Sequence, residues 1–283
     1  MLIPVLCSLF IGKTKVQVMM MKQKSRFSVP TVTVTGLPGS FSNLCIDGRN
    51  GQEIRQYIGG NQRWFPTPNG VQGGCGTVAA ANQLAFLAGL QPQRYGRLYP
   101  YKTTSQHDFT EHMESVYRWV TPISLDILRS WLPDAVRNTI PCSLGIPGLR
   151  FYATRVMRYA MDKGVRLKPV WRNQRQGSPG NTSLRMNLQQ AVEYIKHGLA
   201  SGCPVAMLNT WNPALKAVRY CPDPRSGTCH VSSFQRHWVT VLSLQEDPEN
   251  NRFTVEVSSW GVRVILDLTE FWGKGYTGLI YFR

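Results

Sequence analysis

The chain has 283 residues, 42% hydrophobic and 17% charged, a balance that supplies a sizeable core and excludes a disordered polymer. Thirty-two Lys and Arg against 16 Asp and Glu give a formal net charge of +16, which favours acidic partners: nucleic acid, an anionic membrane surface or an acidic substrate. The basic residues are scattered, with no run of five and no nucleic-acid-binding motif, so specific nucleic-acid recognition is not expected.

The chain opens on "MLIPVLCSLFIGKTK", an apolar run of about ten residues that is too short to span a bilayer. As a signal peptide it lacks leading positive charges and a small-residue cleavage site, and initiation at Met19, Met20 or Met21 would leave it out of the protein. No compartment is assigned on this basis. Residues 1–36 read as an N-terminal extension that ends in a period-two strand, "VPTVTVTG" at 29–36, and residues 37–283 read as one domain, within the roughly 250-residue range of single domains.

The Gly- and Asn-rich segment to Gly60 reads as turns, and "GGNQRWFPTPNGVQGGCG" as a loop. Four helical patterns follow, at about 77–89, 107–119, 149–163 and 184–200, the last two stopped by Gly164 and Gly202. After Gly202 the period changes to that of strands: "PVAMLNTW", "HWVTVLSLQ", "RFTVEVSSW", "VRVILDL" and "GLIYFR", with "EDPENN" as an intervening turn. A helical first half and an antiparallel second half predict an α+β fold with the helices on one face of the sheet.

Seven cysteines at irregular spacing make an odd count in a chain too large to need staples, so no disulfide framework is expected. Cys221 and Cys229 flank a turn-rich loop and can either pair or stay reduced. With His230 they match no standard zinc pattern, and neither a metal nor a cofactor is expected.

Cys75 stands where Gly70, Gly73, Gly74 and Gly76 give way to the helix-forming run "TVAAANQLAFL". Free N–H groups and the dipole at a helix start favour a thiolate. The glycines are expected to permit unusual backbone angles and close approach of a substrate, and Ala79, Ala80 and Ala81 to let the helix pack tightly. A thiol nucleophile needs a base. Of the five histidines, His237 alone opens a strongly apolar strand, 162 residues after Cys75.

"GGCGTVAAANQLAFL" resembles the Cys-bearing helix of papain-fold cysteine peptidases, nearest in style to the bacterial bacteriocin-processing (double-glycine) type. "RHWVTVLSL" resembles their His-bearing strand, and "SSWG" at 258–261 resembles the Asn-Ser-Trp-Gly segment of papain; together the likeness covers about residues 58–283. The separation of Cys75 and His237 is comparable to the roughly 130–150 of papain-type enzymes. The resemblance implies Cys75 as nucleophile and His237 as base. The third position holds Ser258, with Ser259 beside it and Asp267 in reserve. The oxyanion amide is expected from Gln62, provided loop 63–74 doubles back, with Gln72 and Asn69 as the other candidates. A peptide or protein substrate follows, cleaved at peptide or isopeptide bonds. An acyl transferase on the same fold, or a binding protein that has lost catalysis, is the alternative.

Overall fold

The computed structural model describes residues 31–33, 42–46, 54–173, 186–221 and 228–283. The apolar N-terminal run, the alternative start sites and the outer parts of the strand predicted at 29–36 lie outside these residues. The fold is α+β. Its main sheet has seven strands: β1 (Thr31–Thr33), β2 (Pro169–Asn173), β3 (Val205–Thr210), β4 (His237–Asp247), β5 (Arg252–Ser259), β6 (Val262–Asp267) and β7 (Tyr276–Phe282). Every pairing is antiparallel, in the order β6-β5-β4-β3-β7-β2, with β1 on the far half of β4. A bulge between Val241 and Ser243 lets the long β4 serve both sides.

Four principal helices, α1 (Cys75–Leu90), α2 (Gln106–Tyr117), α3 (Leu149–Asp162) and α4 (Leu188–Ala200), coincide with the four predicted patterns. Their ends have local causes. The Ser105 hydroxyl accepts from Asp108 N–H at the start of α2, and Asn187 with Gln190 forms a reciprocal capping box at the start of α4. Gly164 and Gly202, at φ 70° and 78°, close the ends of α3 and α4.

Three expectations differ from the structure. The segment read as turns contains a hairpin, Ser42–Ile46 with Ile54–Ile58. The loop before Cys75 contains a 3-10 turn, Gln62–Trp64, and a short helix, Pro68–Gly73, whose Thr67 hydroxyl caps Gly70 N–H. Edge strand β2 carried no periodic signal, because Pro169 and the exposed Arg172 interrupt it.

Helix α1 is the centre of the core, with every residue from Cys75 to Ala88 buried. A helix enclosed on all sides must satisfy its polar side chains internally. Thr77 Oγ1 donates to Val120 O at 2.6 Å, and Gln83 Nε2 donates to Pro204 O and Ile280 O while its Oε1 accepts from Tyr152 OH. Gln83 thereby joins α1 to the entry of β3, to β7 and to α3.

Candidate active site

Cys75 is the first residue of α1, and His237 is the first residue of β4. Both line one small, half-open pocket, together with Gln62, Asn82, Ser258, Ser259 and Trp260. Backbone from both halves of the sequence meets there. The glycines around Cys75 act through close approach and not through unusual dihedrals: none of the four has positive φ. A Cβ on Gly74 would lie 2.3 Å from Gly70 O, and one on Gly76 would lie 2.5 Å from Ile146 Cγ1.

Three contacts fix the His237 ring and a fourth its backbone. Nε2 lies 2.7 Å from Ser259 Oγ, the Trp260 indole stacks on the ring at 4.6 Å between centroids, Phe234 meets its edge, and strand pairing with Asn209 holds its backbone. Trp260 reaches this position because Trp260 and Gly261 form the two-residue turn between β5 and β6, at φ 51° and 75°. Positive φ at both central residues is the backbone of a tight antiparallel hairpin turn, and a tryptophan there is strained. "SSWG" is thus a serine beside the histidine followed by a hairpin corner that carries the covering ring.

Ser258 and Ser259 alternate along β5 and do different things. Ser258 Oγ donates to Ile58 O at 2.6 Å and accepts from Asn82 Nδ2 at 3.3 Å. Asn82, which the sequence reading passed over, also donates to Thr240 Oγ1 and accepts Gly60 N–H at 2.9 Å. It anchors the segment 58–62, and its only sequence signal, a polar residue in a largely apolar helix, is shared with Thr77 and Gln83. Gln62 then reaches the pocket, with Nε2 donating one hydrogen to Val71 O at 2.7 Å. The loop after it does fold back.

Gln72 and Asn69 are not brought to the pocket. Gln72 Oε1 accepts from Cys142 N–H and Sγ–H, both at 2.9 Å, and Asn69 Nδ2 donates to Tyr117 OH. Asp267 caps the turn Leu268–Phe271 and is paired with Arg252. The sulfurs of Cys221 and Cys229 are joined in a disulfide. Among the described residues, no group of His, Cys, Asp and Glu is arranged to hold a metal ion.

Burial dominates the electrostatics. Cys75 is 8% exposed and His237 7%. Desolvation pushes the Cys75 thiol up from its ordinary range, opposed by the N–H groups of Trp238, Gly76 and Cys75 itself. Desolvation also lowers His237 to about 3. Both groups are therefore neutral at pH 7, and among the described residues no hydrogen bond joins Sγ to the ring. A buried thiol and a buried imidazole thus line the same pocket.

No protein-family model matches the chain, and no curated protein matches it. Among solved structures it is similar to the crystal structure of UfSP from C. elegans, with 9% identity and a TM-score of 0.43. The superposition takes in 92% of this chain and 36% of that one, so the chain spans about a third of the length of UfSP. A likeness of this degree carries no functional inference, and the reading of the site rests on its own residues.

Proposed function

We propose that the protein is a cysteine-nucleophile hydrolase of the papain-like type, acting on peptide or isopeptide bonds of a peptide or protein substrate. The observation that carries this is the single pocket lined by Cys75, His237 and Gln62, with Ser259 Oγ against the far nitrogen of the ring. With Nε2 engaged by Ser259, Nδ1 is the atom left to take the thiol proton. The sulfur attacks the substrate carbonyl carbon as that proton moves. The second hydrogen of Gln62 Nε2 and the Cys75 N–H at the helix start stabilise the oxyanion. His237 returns the proton to the leaving amine, and water then hydrolyses the thioester with His237 as base. An amine in place of water makes the same site an acyl transferase.

The neutral resting pair fits proton transfer during attack, with the contacts tightening once substrate fills the pocket. Iodoacetamide at pH 7 with mass-spectrometric mapping tests the pair. Cys75 should be alkylated ahead of Cys142 and of Cys203, whose thiol burial pushes up to about 12. His237→Ala should slow Cys75 at least about ten-fold, since the thiol then loses the base that takes its proton during attack. Equal rates at all three thiols, or a Cys75 rate indifferent to His237→Ala, would remove the proposal.

A further inference from the structure

Residues 121–146 leave the helical layer as a separate excursion. It comprises the short helices Asp126–Ser130 and Asp134–Arg137 and a two-stranded ribbon, Ile123–Ser124 with Ser143–Gly145. Two of its guanidiniums bind back onto its own carbonyls, while Asp126 and Asp134 stay exposed. Arg137 donates from Nε to Arg129 O and from Nη2 to Leu132 O, and Arg129 donates from Nε back to Arg137 O. The guanidiniums also pair with Asp134 and Asp126. The excursion is thus braced by its charges and leaves its large apolar side chains outside.

Ile127 is 78% exposed and Trp131 82%, and Ile123, Leu128, Val136 and Leu144 are exposed beside them. Ile127 and Trp131 share a helical face at i, i+4 spacing. Apolar residues this large and this clustered mark an interaction surface. The excursion's own charges balance, Arg129 and Arg137 against Asp126 and Asp134, so attraction to an acidic partner comes from the body of the chain. The chain carries +16, and exposed Arg118 and Arg150 stand where the excursion leaves and rejoins the body. Tryptophan and branched aliphatic side chains projecting from a strongly cationic protein are suited to the headgroup boundary of an anionic bilayer, where apolar insertion and electrostatic attraction supply the two signals that firm attachment requires.

We propose that the 121–146 excursion is a membrane-docking element that inserts Ile127, Leu128 and Trp131 into the interface of an anionic phospholipid bilayer, with the protein lying on the membrane. Among the described residues no helix is long and apolar enough to cross one. The excursion is tied to the pocket: Gln72 is bonded to Cys142, and Trp238 Nε1 donates to Ile146 O at 3.0 Å, on either side of Cys75 and His237. This inference does not depend on Cys75 being a nucleophile.

Co-sedimentation of the full chain with phosphatidylcholine vesicles, with and without about 30% phosphatidylserine, tests it. The wild type should bind the anionic vesicles and lose most binding when the salt rises from about 0.1 to 1 M, as the Debye length contracts. Ile127→Glu and Trp131→Glu are surface changes that should leave the unfolding midpoint in place and lower the partition coefficient about ten-fold or more each. Failure of the wild type to bind anionic vesicles overturns the proposal. So does binding that both variants retain, since charge alone would then account for it. Sedimentation of the lipid-free wild type as a dimer that Trp131→Glu splits would show the face to be a self-interface, and would overturn it equally.

Discussion

At the scale of residues, the serine pair on β5 separates two roles that the sequence left merged. Ser259 touches the ring of His237, whereas Ser258 touches the carbonyl of Ile58 and the amide of Asn82. Ser259→Ala should therefore lower kcat about 10- to 100-fold, the equivalent of one hydrogen bond to a group that becomes charged, and should shift the acid limb of the pH profile. Ser258→Ala should leave kcat within about two-fold and lower stability by about 1 kcal/mol. If Gln62 is the oxyanion donor proposed above, Gln62→Ala should cost about 100-fold or more in kcat. Steady-state kinetics with a chemical-denaturation curve for each variant checks all three. A Ser258→Ala enzyme as impaired as Ser259→Ala would show that the serines act as one network and would withdraw the assignment of Ser259 as the orienting group.

At the scale of elements, what was legible was what periodicity and punctuation encode. Helices α1 to α4 and strands β3 to β7 follow from apolar spacing, caps and terminal glycines, and Cys75 at a helix start with His237 at a strand start followed from the same marks. Gln62 was preferred to Gln72 in sequence only on its anchoring aromatics, because spacing along a loop does not say which amide turns inward; in the structure Gln62 lines the pocket and Gln72 is bonded to Cys142. Trp260 over the histidine depends on a hairpin corner, and Asn82 depends on three partners from three distant segments, so neither was visible locally. Asn82 also links elements: it bonds Gly60, Thr240 and Ser258 and thereby holds the segment that presents Gln62. Asn82→Leu should strand three buried polar groups and lower stability by about 2–5 kcal/mol, read as a lower urea midpoint. Activity should fall with it at temperatures where the variant is still folded, since Gln62 loses its support. A variant with an unchanged midpoint would show that the network contributes nothing to holding α1 against the sheet.

At the scale of the whole molecule, two histidines are buried without a charge partner, and this sets how stability varies with pH. His112 is enclosed by Tyr99, Phe109 and Tyr159, with Nε2 at 3.1 Å from Ala81 O and Nδ1 without a partner; burial lowers it to about 4. His237 is lowered by burial to about 3. Both folded-state values lie below the unfolded value of about 6.5, so the unfolded chain binds more protons wherever the pH is under 6.5. Above that pH neither group contributes a slope. Between about 6.5 and 4 the two together should make the unfolding free energy fall by up to about 3 kcal/mol per pH unit, and between about 4 and 3 His237 alone should continue at half that rate. A fall of this size over two units is comparable to the whole stability of a typical domain, so acid unfolding should begin well above the ordinary range of carboxylates. Urea titrations at closely spaced pH values from 8 to 5 measure the slope. His112→Gln, whose amide can still donate to Ala81 O, should reduce the difference in bound protons from about two to about one, and His237→Gln should do the same. A slope near zero below pH 6.5, or one that neither substitution changes, would mean that the rings are hydrated or protonated in the folded protein, and the neutral resting state assigned to the Cys75–His237 pocket would fall with it.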